Sequence, residues 1–196
     1  MNVPVAYVSL QLLHTAVVML PSIVLQLAGV GSADRRLLCF AALVVVAAAA
    51  EGIVAGRHAE PPIGNPRDPR ALTVARFVGV FLLLSFWIAQ LEYFLVPSGF
   101  DLLVVAGTTV AAAGIALRIC AIAALGEFFV SDIRTDTAVI RTGIYRRMQH
   151  PSEVGLLCIA VGAPAMLAAV YTASVTAAVL LPVSVWRMQR ENHCRR

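Results

Sequence analysis

Residues 143–155, GIYRRMQHPSEVG, bring together several side chains able to do chemistry: Tyr145, Arg146, Arg147, Gln149, His150 beside Pro151, and Glu153 two positions on. A second group, WRMQRENH at 186–193, spaces Arg187 and Glu191 four residues apart, which puts both on one face of a helix. A third, Arg118, lies inside an apolar run. Guanidinium groups take carboxylates, and carboxylates take cations and hydroxyls. Plainer readings exist for each: an i, i+4 ion pair for Arg187 and Glu191, an interfacial histidine for His150, a side chain reaching up to the headgroups for Arg118. Cys39, Cys120, Cys158 and Cys194 show no metal-ligand spacing, and three of them sit in apolar runs as small apolar residues. Neither a metal site nor a disulfide framework is expected.

The setting of these residues is apolar. Of 196 residues 60% are hydrophobic and 13% charged, against roughly a quarter charged in a soluble domain. Six runs are long enough to cross about 30 Å of hydrocarbon at about 1.5 Å per residue: 5–28, 37–55, 72–96, 102–125, 153–169 and 172–186. The expected fold is all-α, a polytopic integral membrane bundle of about six helices. A variant with five spans and one re-entrant segment is suggested by the very short link near 169–172. The first run has no Lys or Arg ahead of it and reads as a span rather than a cleaved leader. Two regions are expected: N-terminal transmembrane helices over 1–100, and over 101–196 a core that carries the chemistry.

All fifteen basic residues are arginine. With six spans, twelve fall on the side of the N-terminus, Arg35 and Arg36 fall on the other, and Arg118 falls within a span. Such a split places both termini and both long loops in the cytoplasm. The net charge of +4 follows from that topology and from anionic headgroups, and calls for no nucleic acid.

Residues 57–71 are rich in Pro and Gly and read as a loop. Residues 126–150 alternate greasy side chains with arginines and read as an amphipathic connector in the cytoplasmic headgroup layer. Pro151 suits the first turn of a helix, where its missing N–H costs little, so His150 is held at the entrance to the next span. Gly107, Ala111 and Gly114 share a face on which helix backbones can approach closely, and Gly155 allows a close approach as well. Arg118 calls for a partner, Glu127 and Glu191 being nearest in depth. Glu92, among aromatics, reads as a headgroup-level carboxylate.

The carboxy-terminal half resembles the isoprenylcysteine carboxyl methyltransferase family of membrane enzymes. The matching pieces are Arg118 with Leu125 and Gly126; Thr142, Gly143 and Tyr145; His150, Pro151 and Gly155; then Arg187 and Glu191, in the family's order and spacing over about residues 107–192. Three positions depart from the family pattern: Gln149 replaces an arginine, Glu153 a tyrosine, and Asn192 a glutamate. The resemblance implies a membrane methyltransferase that uses S-adenosylmethionine on a lipophilic small-molecule acceptor bearing a carboxylate, phenol or enol, in contact with membrane lipids and in a bacterial cell membrane. It implies cofactor contacts from Tyr145, Gln149, His150, Pro151, Glu153, Gly155, Arg118 and Glu191, with Arg187 and Glu191 at the reacting groups. Two other readings stay open: a scaffold without activity, and an NADPH-dependent reductase of the steroid-reductase type, for which the expected Asn-Tyr-x-Gly-Glu stretch is absent.

Overall fold

The computed structural model describes residues 5–31, 34–56, 69–96, 99, 101–125 and 143–194, with side chains over 13–31, 34–50, 73–96, 99, 101–125 and 143–190. The described residues are all-helical: α1 (Val5–Leu27), α2 (Arg35–Gly56), α3 (Pro69–Leu95), α4 (Asp101–Leu125), a 3-10 turn (Gly143–Arg146), α5 (Pro151–Met166) and α6 (Val170–Cys194). These are the six runs of the sequence. The amphipathic connector expected over 126–150 lies outside the described residues up to 142, as do the loop at 57–68 and Glu127.

Three helices are long and apolar enough to cross a membrane within the described residues: Thr73–Leu95, Asp101–Leu125 and Val170–Arg190. Helix α5 has 16 residues, about 24 Å at about 1.5 Å each, short of a hydrocarbon core of about 30 Å. It ends inside the bundle. Leu167, Ala168 and Ala169 are buried, and Leu167 and Ala169 join Val18 of α1, Leu37, Phe40 and Val44 of α2 and Ala89 of α3 in one apolar cluster.

A turn buried in this way must satisfy its own backbone. The Ala169 N–H donates to the Pro164 carbonyl (3.1 Å) and the Ala168 N–H to the Ala165 carbonyl (2.9 Å). These are the paired bonds of a Schellman cap, with Ala168 at φ +56° where glycine is usual. The first N–H groups of α6 are met by another helix. Both oxygens of the Glu92 carboxylate take part, accepting from Tyr171 N (3.0 Å), Thr172 N (2.9 Å) and Thr172 Oγ1 (2.6 Å). A carboxylate at a helix N-terminus also opposes the helix dipole. Glu92 is thus the trans cap of α6, a more specific role than a headgroup-level acid.

Helix α5 packs most extensively on α4, and glycine makes that possible. A Cβ on Gly107 would run into Met166 N, one on Gly114 would lie 2.8 Å from the Gly155 carbonyl, and one on Gly162 2.6 Å from Ala111 N. Two glycines seven apart on each helix interlock in an antiparallel pair, so the backbones are nearly in contact. In lipid, where burial gives little drive between helices, dispersion at such seams holds the bundle.

Pro21 inside α1 shows how α3 is attached. Proline leaves the carbonyl four residues earlier without its helical donor. That carbonyl, on Val17, accepts from Trp87 Nε1 (2.9 Å). Gln90, fully buried, donates to Val18 O (2.8 Å) and Phe86 O (2.9 Å) and accepts at Oε1 from the N–H and hydroxyl of Ser22. Every hydrogen-bonding group of the Gln90 amide is engaged. Asp34 caps α2, accepting from Arg36 N (2.8 Å) and Leu37 N (3.1 Å), and Arg36 pairs with Asp101 at the start of α4 (2.7 Å). Burial alone would push the Asp34 carboxyl up. The hydrogen bonds from Tyr93, Leu37 and Arg36 and the Arg36 charge outweigh it, so the group is held below the usual carboxylate range.

Candidate cofactor site

The Arg36–Asp101 pair and the Glu92 cap mark one end of the bundle. The start of α5, the end of α4 and the last turns of α6 meet at the other, where the chemistry-bearing residues of the sequence gather. His150 is the N-cap residue of α5, with Pro151 at the first turn and buried. The His150 carbonyl accepts the Val154 N–H at 3.1 Å, while its side chain makes no capping bond. The helix start therefore stands where the His-Pro pair places it, without a side-chain cap.

Ahead of it the chain folds tightly. Gly143 has φ +56°, and a Cβ there would also press on Ala124 Cβ at 3.2 Å, so glycine is needed for both conformation and space. The turn closes with Arg147 N and Met148 N donating to the Ile144 carbonyl (3.0 and 3.1 Å), and leaves Tyr145 half-buried and Gln149 exposed.

Two polar contacts tie the helices together here. Arg118, half-buried near the end of α4, donates from Nη1 to Ser152 Oγ at 3.2 Å. It finds a partner in the first turn of α5; the carboxylates expected for it, Glu127 and Glu191, lie outside the described side chains. Glu153 reaches α6: Oε1 accepts from Ser184 Oγ (2.7 Å), and Arg187 Nη1 lies 3.1 Å from Oε2 and 3.4 Å from Oε1. The side chains of Arg187 and Glu153 are 16% and 14% exposed, so water screens the pair little and one partner without the other would be costly. Arg187 therefore pairs across helices with Glu153. Gly155 is used by the protein itself, its missing Cβ admitting the backbone of α4 at Gly114 and Arg118. Farther along α6, the Arg190 guanidinium lies over Trp186, 5.5 Å from the ring centroid, an aromatic–cation pair suited to a membrane interface.

The structure thus brings Arg118, Ser152, Glu153, Ser184 and Arg187 to one end of the bundle, beside His150. Ser152 and Ser184 were not among the residues expected from sequence. Ser184 lies 31 positions from Glu153, and its only sequence signal is a lone hydroxyl one turn before Arg187.

Residues 105–194 match the model of the isoprenylcysteine carboxyl methyltransferase (ICMT) family. No curated protein matches the chain, and no solved structure does. The matched stretch begins in α4, before its glycine seam, and ends with α6, so it holds the whole of this polar cluster and the tight helix pair that carries it. Over residues 105–194 the chain is thus similar to the isoprenylcysteine carboxyl methyltransferase family, a family of membrane methyltransferases.

Proposed function

We propose that the protein is a membrane O-methyltransferase that takes S-adenosylmethionine, the methyl donor of its family, and methylates a lipophilic acceptor at a carboxylate, phenol or enol oxygen. The observation that carries this reading is the meeting of Arg118, Glu153 and Arg187 with two serines where apolar helices converge, inside the family-matched stretch.

The residues fit the cofactor. Arg187 and Arg118 supply cations for its carboxylate, Ser152 supplies a hydroxyl, and His150 supplies a ring nitrogen at the helix start. Glu191, on α6, is the carboxylate proposed for the cationic portion. When bound, the cofactor supplies an electrophilic methyl group on a sulfonium. The chain's own part is to hold the acceptor oxygen in line with that methyl, since alignment supplies much of the acceleration for a group already anionic. Exclusion of water at this end of the bundle further favours a step that joins opposite charges. A lipid-soluble acceptor reaches such a site with its tail still among the exposed apolar side chains of the bundle. The site then faces the cytoplasm, with both termini, as the arginine distribution requires.

The test is transfer of labelled methyl from S-adenosylmethionine into organic-extractable products by purified protein in lipid. Label released as methanol by mild base identifies a carboxylate acceptor; label retained identifies a phenol or enol ether. No transfer to extracts of the host membrane or to synthetic acceptors of all three classes contradicts the reading.

A further inference from the structure

Glu153 stands where the family pattern has tyrosine, and its carboxylate is already committed. Ser184 Oγ donates to Oε1 at 2.7 Å and Arg187 Nη1 lies within 3.1–3.4 Å of both oxygens. A carboxylate so engaged is a poor free anion for a sulfonium, because the guanidinium beside it offsets its charge. The contact is also one-sided on the arginine. Glu153 takes Nη1 alone, and not the Nε–Nη2 edge, the pair of parallel N–H groups that grips a carboxylate in two hydrogen bonds. Ser184 is buried at 3% exposure, so the anchor itself is held by packing.

We infer that Glu153 is a positioning residue: anchored by Ser184, it holds Nη1 of Arg187 so that the Nε–Nη2 edge receives the carboxylate of the cofactor's amino-acid portion. This rests on the methyltransferase reading above. It makes the sequence departure at 153 a substitute support for Arg187 and gives Ser184 a part in binding without contact to the ligand.

The test is calorimetric titration of full-length protein in detergent with S-adenosylmethionine, S-adenosylhomocysteine and 5′-methylthioadenosine, which shares the nucleoside but has no carboxylate. The variants are Glu153→Asp and Ser184→Ala, which change no formal charge but break the tether. Affinity for both carboxylate-bearing ligands is expected to fall together, by roughly tenfold or more, about one charge-assisted hydrogen bond, while 5′-methylthioadenosine binds unchanged. A double exchange, Glu153→Arg with Arg187→Glu, is expected to restore the melting temperature lost in Glu153→Ala but not the binding. Loss for S-adenosylmethionine alone would place Glu153 at the sulfonium and overturn the inference. Equal loss for 5′-methylthioadenosine, lowered melting with unchanged affinities, or binding restored by the exchange overturns it too, leaving a structural pair. Wild-type protein that binds none of the three ligands overturns the methyltransferase reading itself, and this inference with it.

Discussion

Glu92 does for α6 what no residue near it in sequence could do. Its carboxylate meets two backbone N–H groups and a hydroxyl about eighty positions away. Hydrogen bonds to a charged group contribute about 1.5–3 kcal/mol, so Glu92→Ala is expected to lower stability by about 2 kcal/mol in a detergent unfolding assay. Leu91→Ala, at a side chain facing outward, is expected to change it far less; equal effects would deny the cap. Asp34 gives a pH dependence. Its carboxyl is held below the usual range in the folded protein, so its contribution is complete above ordinary carboxylate pKa values, about 3.9, and is lost as pH falls through the lower folded value. Wild type and Asp34→Asn are therefore expected to differ in melting temperature most at neutral pH and to converge in acid. Among single residues, the His150–Pro151 helix start was legible because capping is local. The partners of Glu92, Glu153 and Arg118 were not, because each is met by a different helix and spacing along the chain says nothing of register between helices.

The helix pair α4–α5 is the element on which the site is built, and glycine sets its separation. Gly114→Ala would place a methyl 2.7–2.9 Å from Cys158 Cβ, the Gly155 carbonyl and Ile159 N. Overpacking of this kind costs about 1–3 kcal/mol, and the shift would carry Arg118 away from Ser152. Gly79→Ala, in α3 with nothing within 4 Å, is expected to leave stability unchanged or raise it, since alanine is the better helix former. Comparison of the two variants by thermal unfolding checks the seam, and the prediction fails if Gly79→Ala is the more damaging. The small-residue face of α4 was readable from its spacing. On α5 Gly155 was readable as a place of close approach, but its partner Gly162 was not, because it lies in an unremarked apolar run. The Pro21 device in α1 was hidden for a similar reason: the groups that satisfy it, Trp87 and Gln90, belong to α3.

Taken together, the six helices alternate so that one end carries the Arg36–Asp101 pair and the Glu92 cap, and the other carries Arg118, His150, Glu153 and Arg187. Hydropathy alone located the helices because each run is long and nearly free of charge. Helix α5 is short and ends in a buried turn, a feature hydropathy does not reveal because a buried helix and a lipid-crossing one are equally apolar. The arginine distribution predicts that reporter fusions at Gly99 read external and fusions at residue 60 or beyond Arg190 read cytoplasmic; the reverse pattern would turn the site to the outer face. The most direct test of the whole account is titration of the purified wild-type protein with S-adenosylmethionine and, separately, with NADPH. Saturable binding of S-adenosylmethionine, one per chain and without binding of NADPH, is the result this site predicts. Binding of NADPH, or of neither ligand, would contradict it.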